Sequence, residues 1–269
     1  MIKIDGKEID IGSFPDGSML VKYDHTYGDG TYSRNADITW RYETDREFLC
    51  LIYLVKHLRS HGVEVIYLYM PYIPNARQDR VKSREDVFTL KYFAEILNSL
   101  SLTEVTVLDP HSSVSEALIN NLTVVTAQQY LIKTLVKLSA SGVKDLIAFY
   151  PDEGCMKMRS NLVNLPYAFG IKKRNWETGK IEGLDVAGAV DQIAGRDILI
   201  VDDICSRGGT FLHSAKKLKE LGAKDIYLYV SHCENTILDG ELLTSGLIKK
   251  VFTTDSIFTK SHERIEVLR

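Results

Sequence analysis

Short, continuously apolar segments alternate with segments of helical period along most of this chain. The apolar segments include "VEVIYLYM" (63–70), "DLIAFY" (145–150) and "RDILIVDD" (196–203). Amphipathic stretches such as "AQQYLIKTLVKLSA" (127–140) and "GGTFLHSAKKLKELG" (208–222) lie between such segments. Strands that are apolar throughout and separated by helices are typical of parallel sheets. The alternation therefore predicts an α/β fold whose parallel sheets are covered by helices on both faces.

The same reasoning predicts the other regular elements of the chain. We expect helices at 45–60 and 86–100, and a short one at "VSEALIN" (114–120). We expect further strands at 104–109, 122–126, 225–232 and 251–256, and the last of these is expected to end the fold.

Two halves of the chain resemble each other. Each half has a strand ending in Tyr-Pro ("LYMPY" and "AFYPD") and a later strand ending in aspartate before a polar loop ("VTVLDPHSS" and "ILIVDDICS"). At 269 residues the chain is about twice the length of a typical domain. We therefore expect two similar domains, 1–126 and 127–269.

Composition restricts the class of protein. The formal net charge is -3, with acidic and basic residues mixed along the chain, which argues against non-specific nucleic-acid binding. No apolar run approaches the roughly 20 residues that span a bilayer. The N-terminus, "MIKIDGKEID", lacks the basic-then-apolar order of a secretory signal. We expect a cytoplasmic protein that binds neither nucleic acid nor a membrane.

Polar clusters follow four of the predicted strands. They are "PYIPNARQDR" (71–80), "DPHSS" (109–113), "YPDEG" (150–154) and "VDDICSRGGT" (201–210). Ligands of open α/β sheets bind at the carboxyl ends of the strands. Four such clusters aimed at that edge of the fold therefore indicate a binding site.

The fourth cluster is the most specific. Backbone amides of a glycine loop that enters a helix bind anions, and Gly208 and Gly209 allow close approach of a phosphate. Carboxylates at Asp202 and Asp203 would repel that phosphate, so they suit neutral donors such as the vicinal hydroxyls of a sugar, or a metal. The segment is thus interpreted as a ribose-phosphate site. A solvated acid pair followed by a helix-capping loop is the alternative.

The segment "ILIVDDICSRGGT" resembles the phosphoribosyl-diphosphate-binding motif of type I phosphoribosyltransferases and their relatives. The segment "PYIPNARQDR" narrows the resemblance to ribose-phosphate diphosphokinases, which are also called phosphoribosyl-diphosphate synthetases. Other segments resemble that family in the same order along the chain: "FPDGS" (14–18), "LDPHSS" (108–113), "YPDEGCMKMRS" (150–160) and "IKKR" (171–174). Together they cover nearly the whole sequence.

This resemblance implies two similar parallel-sheet domains of the type I phosphoribosyltransferase-like fold. It also implies that the protein transfers the diphosphoryl group of ATP to the anomeric hydroxyl of ribose 5-phosphate, giving 5-phosphoribosyl 1-diphosphate and AMP. Mg²⁺ would be the cofactor, and a homo-oligomer would be the assembly. Such chemistry requires positioning and charge neutralisation.

The resemblance also implies roles for individual residues. Lys172 and Arg174 would be catalytic, closing over the transferring group from a polar stretch (172–183) between two strands. His111 and Asp152 would hold magnesium. ATP would be bound by Phe14, Asp16, Arg77, Gln78, Asp79 and His111. Ribose 5-phosphate would be bound by Asp202, Asp203, Ser206, Gly208, Gly209 and Thr210.

The chain departs from the family pattern at the ribose-phosphate motif. Ser206 and Arg207 stand where the family commonly has Asp-Thr, so a third carboxylate is missing. Cys155 replaces the second glycine of a Gly-Gly pair, and Ser18 replaces the usual glutamate. Arg207 beside a phosphate loop favours anion binding, which indicates an altered site.

Two other functions are compatible with these segments. A phosphoribosyltransferase acting on a nucleobase would share the ribose-phosphate motif, although it would not explain "ARQDR". A non-catalytic, synthetase-like protein that binds nucleotides and regulates a partner would explain Ser206. The presence of Lys172, Arg174 and the acid pair argues against the second of these.

Overall fold

The computed structural model describes residues 1–24, 26, 33–174 and 181–269. The chain divides into two compact units, Met1–Val125 (unit 1) and Thr126–Arg269 (unit 2). No helix in these described ranges is long and apolar enough to cross a membrane.

Unit 1 is an α/β unit. Its described strands are β1 (Ile2–Ile4), β2 (Lys7–Glu8), β3 (Ile11–Ser13), β4 (Met19–Val21), β5 (Asn35–Trp40), β6 (Val65–Tyr69), β7 (Glu104–Leu108) and β8 (Leu122–Val125). Its described helices are α1 (Asp45–Ser60), α2 (Thr89–Asn98) and α3 (Val114–Leu118). A six-stranded sheet has the order β2-β1-β5-β6-β7-β8, and β3 pairs with β4 in a separate hairpin.

The sheet of unit 1 is buried on one face. Strands β5 to β8 are parallel neighbours in chain order, so right-handed connections place α1, α2 and α3 on the same side. Ile38 of β5 and Leu68 of β6 are buried in the core that those helices cover. Tyr67, the neighbour of Leu68 in β6 and therefore on the opposite face of the sheet, is 43% exposed. The expectation of helices on both faces is therefore wrong for unit 1, because every connection steps in one direction.

Unit 2 contains a seven-stranded sheet. Its described strands are β9 (Leu146–Tyr150), β10 (Tyr167–Arg174), β11 (Ile181–Gly188), β12 (Asp197–Cys205), β13 (Ile226–Cys233), β14 (Lys250–Thr254) and β15 (Ile265–Leu268). Its described helices are α4 (Gln128–Ala140), α5 (Glu153–Arg159) and α6 (Gly209–Glu220). The strand order is β11-β10-β9-β12-β13-β14-β15, with all neighbours parallel except β10 and β11. The fold therefore does not end at 251–256, since β15 follows.

Both faces of the unit 2 sheet are covered. Ile198 and Ile200 of β12 pack in one core cluster with residues of α6, while Leu199 and Val201 pack in another with residues of α4 and with Cys155 of α5. The connection from β9 to β10 steps one way along the sheet, and that from β12 to β13 steps the other way. Right-handed connections in opposite directions place their helices on opposite faces.

The direction in which successive connections step along the sheet reverses between β9 and β12. These strands are parallel neighbours, and the connections that leave them diverge. Such a switch point opens a crevice at the carboxyl ends of the two strands, where α/β sheets bind ligands. Pro151 and Asp152 follow β9 there, and Asp202 and Asp203 lie near the end of β12.

Candidate functional site

The acid pair lies inside β12 rather than after it. The strand was expected to end at Asp203, but it continues to Cys205. The reason is pairing with β13, in which Ile204 lies opposite His232 and Cys205 lies opposite Cys233. The two carboxylates are therefore carried by a rigid central strand.

Two carboxylates lie side by side at low exposure in the acid pair. Asp203 is 6% exposed, and its N–H donates to Oδ1 of Asp202 at 3.0 Å. Burial, followed by the negative charge of Asp203, raises the pKa of Asp202 to about 7, while nearby Arg159 acts in the opposite direction. Hydroxyl donors or a cation at these carboxylates would offset that cost.

Cys155 connects the acid pair to the end of β9. Its thiol donates to the carbonyl oxygen of Val201 at 3.2 Å and lies beside Asp202. Burial raises the pKa of this thiol, so Cys155 is a packing residue rather than a nucleophile. Its N–H donates to Oδ1 of Asp152 at 2.9 Å, which makes Asp152 the N-cap of α5. The structure thus brings Asp152 and the acid pair together at the switch point.

The glycine loop leads directly into helix α6. No described side chain forms a capping hydrogen bond with the N-terminus of this helix. Gly208 has a left-handed φ of 81°, and α6 begins at Gly209. The first N–H groups of a helix have no partner in the helix itself. Those of Gly209, Thr210 and Phe211 therefore form an anion-binding position, strengthened by the helix dipole.

The remaining loop residues differ in exposure. Ser206 is half-buried, whereas Arg207, Gly209 and Thr210 are exposed. A Cβ at Gly209 would meet no atom within 4 Å. The outer surface of the loop is thus open to a ligand, and its one charged side chain is the cation of Arg207.

Lys172 and Arg174 lie at the end of strand β10 rather than in the loop that follows. Lys172 is opposite Leu184 of β11, Arg174 is opposite Ile181, and the register shifts at Lys173/Arg174. Only the backbone of the two predicted catalytic residues is described, and residues 175–180 of the predicted catalytic stretch lie outside the described residues.

In unit 1, Asp79 connects two of the polar clusters. Arg80 donates to both oxygens of Asp79, from Nε at 2.7 Å and from Nη2 at 2.9 Å. The hydroxyl of Ser112 donates to Oδ2 at 2.7 Å. The Arg80 hydrogen bonds, helped by the one from Ser112, lower the pKa of Asp79. The segments after β6 and β7 are therefore held together by an ionised carboxylate.

Other predicted ATP-site residues lie around this connection. Oε1 of Gln78 accepts a hydrogen bond from Thr89 at 2.9 Å, next to the start of α2. Arg77 is exposed in the segment after β6, and His111 is exposed in the segment after β7. These two side chains follow neighbouring parallel strands of one sheet.

Phe14 and Asp16 lie in the turn of the β3–β4 hairpin. Phe14 is 49% exposed. Oδ1 of Asp16 accepts from the N–H and the hydroxyl of Ser18 at 2.9 and 2.7 Å, and these bonds lower its pKa. Asp16 therefore shapes the turn that presents the Phe14 ring to solvent.

The predicted metal ligands, His111 and Asp152, belong to different units. Among the described residues, no three His, Cys, Asp or Glu side chains are grouped closely enough to hold a metal ion by themselves.

Sequence reasoning missed two contributors to the unit 2 site. Arg159 is 3% exposed and is the charged group that opposes the raised pKa of Asp202. A single arginine at the end of a short helix carries no local signal of this contact, although it lies within the segment 150–160 that resembles the family. Gly240 packs against the glycine loop from 33 residues further along the chain, and nothing in its local sequence indicates that contact.

No family model matches the chain. The fold has a clear structural relative, the phosphoribosylpyrophosphate synthetase from Mycobacterium smegmatis. It superposes with a TM-score of 0.78 over 97% of this chain and 85% of that one, at 19% sequence identity. This likeness confirms the two-sheet α/β fold of the phosphoribosyltransferase-like class.

Sequence relatives agree with the structural relative. The chain is 27% identical over 259 residues to the ribose-phosphate pyrophosphokinase of Mycoplasma pneumoniae, covering 91% of this chain and 74% of the relative. It is 28% identical over 227 residues to the enzyme of the same name from Thermococcus kodakarensis, covering 84% and 77%. Pyrophosphokinase is the alternative name of diphosphokinase, so the predicted resemblance to the ribose-phosphate diphosphokinase family is confirmed.

Proposed function

We propose that this protein is an enzyme that transfers the diphosphoryl group of ATP to the anomeric hydroxyl of ribose 5-phosphate. The products are 5-phosphoribosyl 1-diphosphate and AMP. One observation carries the proposal: an acid pair in which the pKa of Asp202 is raised, and a glycine loop without a side-chain cap, lie on one continuous strand–loop–helix segment at the switch point of the unit 2 sheet. The named relatives, which match most of the chain, support the same activity.

Unit 2 is the proposed ribose-phosphate domain (127–269). Asp202 and Asp203 accept hydrogen bonds from the vicinal hydroxyls of the sugar, which relieves the cost of their buried charge. Gly208, Gly209 and Thr210 bind the 5-phosphate through main-chain amides, together with Ser206.

Unit 1 is the proposed ATP domain (1–126). The exposed Phe14 ring packs against the adenine, and Asp16 holds the turn that presents it. Arg77, Gln78 and His111 contact the nucleotide. Asp79 has both oxygens bound to Arg80 and Ser112, so its part is to hold the two loops in place.

Mg²⁺ is the proposed cofactor, with His111 and Asp152 as ligands. Oδ1 of Asp152 is engaged as a helix cap, but a carboxylate has further lone pairs for a hard cation. When bound, Mg²⁺ neutralises charge on the phosphate oxygens. The absence of a three-ligand cluster among the described residues fits a metal held largely by the substrates.

Lys172 and Arg174 are the proposed catalytic residues. The anomeric oxygen attacks the β-phosphorus and its hydroxyl proton passes to water. The bond from that phosphorus to the oxygen it shares with the α-phosphorus breaks, and AMP leaves with the electron pair of that bond. Negative charge builds up on the equatorial and leaving oxygens in the transition state. Lys172 and Arg174, at the end of β10, are proposed to supply two cations that stabilise that charge.

The remaining proposals concern context. The enzyme works in the cytoplasm, where both substrates are available, and it assembles as a homo-oligomer.

One assay tests the activity. The protein is incubated with ATP, Mg²⁺ and ribose 5-phosphate, and AMP is measured. AMP that depends on the sugar phosphate is the expected result. Diphosphate released from phosphoribosyl diphosphate and a nucleobase, without AMP, would indicate a phosphoribosyltransferase instead. Nucleotide binding with neither turnover would indicate a non-catalytic regulator, in agreement with Ser206.

A further inference from the structure

The glycine loop of unit 2 rests on the segment that follows β13. We call residues 234–242 the buttress segment. Its first contact is a hydrogen bond of 2.8 Å from the N–H of Glu234 to the carbonyl oxygen of Cys205, the last residue of β12. The segment then forms a short 3-10 helix, Asn235–Asp239, before it returns beneath the loop.

Gly240 makes the closest contact between the buttress segment and the loop. A Cβ at this position would overlap the carbonyl oxygen of Arg207 and would lie 2.9 Å from its carbonyl carbon. The backbone of Gly240 is extended, with φ −99° and ψ 170°, which any residue adopts. Glycine is therefore required here by the close approach of the loop and not by backbone conformation.

This contact sets the direction of one amide in the loop. The peptide group is planar and trans, so the N–H of Gly208 points away from the carbonyl oxygen of Arg207. With that oxygen held against Gly240, the N–H of Gly208 is directed to the opposite side of the loop. A phosphate bound on that side, where Gly209 and Thr210 are exposed and a Cβ at Gly209 would meet no atom within 4 Å, would accept a hydrogen bond from this N–H.

Leu242 supports the next residue of the loop. A Cβ at Gly208 would lie 2.7 Å from Cδ2 of Leu242 and 2.8 Å from its Cβ. Leu242 is fully buried, so it cannot move away without opening the core. The carbonyl of Gly208 then accepts from the N–H of Leu212 at 2.9 Å, which starts α6. The inner side of the loop is thus in contact with protein from Cys205 to Gly208.

From these contacts we propose that Gly240 is a positioning residue for the sugar phosphate, acting through the Arg207–Gly208 peptide. The inference rests on the proposed function of the loop as the ribose 5-phosphate site. Gly240 does not touch the substrate. It sets the orientation of an amide that does, so a side chain at Gly240 weakens sugar-phosphate binding and leaves the ATP segments of unit 1 unchanged.

The test is Gly240→Ala, measured in two ways. Calorimetric titration of the full chain with ribose 5-phosphate gives the affinity, and the AMP assay gives KM for each substrate. We expect the affinity for ribose 5-phosphate to fall and its KM to rise by about tenfold or more, because misplacement by about 1 Å can cost up to about a hundredfold. KM for ATP should stay within about twofold of the wild-type value.

Gly246→Ala is the matched control. Gly246 has φ +72°, so alanine strains its backbone, but a Cβ there would meet no atom within 4 Å. This variant should lower the melting temperature without changing either KM. It separates loss of stability from loss of loop geometry.

The outcomes distinguish this inference from the proposed function. If the wild type makes AMP and Gly240→Ala binds ribose 5-phosphate as tightly as the wild type, the positioning role is refuted and the function stands. A Gly240→Ala variant that loses affinity for ATP as much as for the sugar phosphate also refutes it. If the wild type makes no AMP but loses sugar-phosphate affinity on this substitution, the function fails and the positioning role stands.

A second variant covers the case in which Gly240→Ala does not fold. Leu242→Val shortens the side chain under Gly208 and loosens the loop without a clash. We expect a smaller rise in KM for ribose 5-phosphate, again with KM for ATP unchanged. A folded Leu242→Val variant with both values unchanged would overturn the proposal.

Discussion

Asp79 of unit 1 and Asp202 of unit 2 both lie near the carboxyl ends of parallel strands, and the protein treats their charges differently. Asp79 accepts two hydrogen bonds from Arg80 and one from Ser112, and its pKa is lowered. Asp202 is half-buried beside the buried Asp203, and its pKa is raised to about 7. The folded protein therefore stabilises the charge of Asp79 and disfavours that of Asp202.

The two sheets explain this difference. The sheet of unit 1 has helices on one face, so the segments after its strands are open to water and to long cationic side chains such as Arg80, which is 65% exposed. The sheet of unit 2 is covered on both faces, and β12 is buried along most of its length. A carboxylate near its end is partly removed from water, which disfavours its charged form. In unit 1, by contrast, Asp79 is ionised and holds two loops together.

The largest expected effect is on turnover and concerns unit 2 alone. Lys172→Ala should lower turnover by a factor on the order of 10³, because a cation that neutralises transition-state charge in phosphoryl transfer contributes about that much. Binding of ATP, measured by calorimetry, should change by less than about threefold. Arg77→Ala in unit 1 is the counterpart, and it should raise KM for ATP more than it lowers turnover. Equal loss of turnover and ATP binding in Lys172→Ala would contradict the assigned role.

The next effect is on the sugar phosphate. Asp202→Asn should raise KM for ribose 5-phosphate by about tenfold to a hundredfold, because a hydrogen bond to a charged group contributes about 1.5–3 kcal/mol. Asp79→Asn should leave this KM unchanged. An equal rise in KM for ribose 5-phosphate in both variants would contradict the assignment of sugar binding to Asp202 and of a structural role to Asp79.

The third effect is on stability as a function of pH. The folded-state pKa of Asp202, about 7, lies above its unfolded value of about 3.9, so the folded protein binds more protons between these values. Stability associated with this group is therefore complete below about pH 4 and is lost as the pH rises to about 7. We expect Asp202→Asn to exceed the wild type in unfolding free energy at pH 8, because the wild-type carboxylate is then ionised in the folded protein.

Urea unfolding at pH 5, 6, 7 and 8 measures this difference. The gap between Asp202→Asn and the wild type should widen as the pH rises. A gap that stays constant across the series would mean that Asp202 is ionised throughout, and that its burial is compensated within the protein.

The smallest effect is on the connection in unit 1. Asp79→Asn should lower the unfolding free energy at pH 7 by about 1 kcal/mol, because the exposed Arg80 is screened by solvent. The pKa of Asp79 is lowered in the folded state, so its contribution is present at neutral pH and is lost as the pH falls below its unfolded value of about 3.9. Ser112→Ala is the control that removes one hydrogen bond and keeps the ion pair. Greater loss in Ser112→Ala than in Asp79→Asn would show that the ion pair adds nothing.

Much of the fold could be predicted because its pattern is local. The helix expected at 45–60 is α1, Asp45–Ser60, since its apolar residues recur at helical spacing over four turns. The central strands were found because they are apolar along their length. By contrast, the seven residues of α5 and the four residues of β15 are too short to show a period. They form because neighbouring elements supply their partners.

The residues of the candidate site also divide into those that the local sequence indicates and those that it does not. Residue type and spacing indicate a possible chemistry for the acid pair and the glycine loop. Four residues could therefore be singled out from the sequence: Asp202, Asp203, Gly208 and Gly209. The contact of Gly240 with Arg207 could not, because the two residues meet only when β13 lies beside β12.

The sequence by itself determined the α/β class, the order of the main elements and the residues proposed to bind sugar and phosphate. All of these follow from side-chain chemistry and periodicity within short windows. The tertiary structure alone decided that one sheet is covered on one face and the other on both, and hence that the pKa of Asp79 is lowered and that of Asp202 is raised. The reason is that burial is a property of neighbours distant in sequence, and burial sets the free energy of a charge.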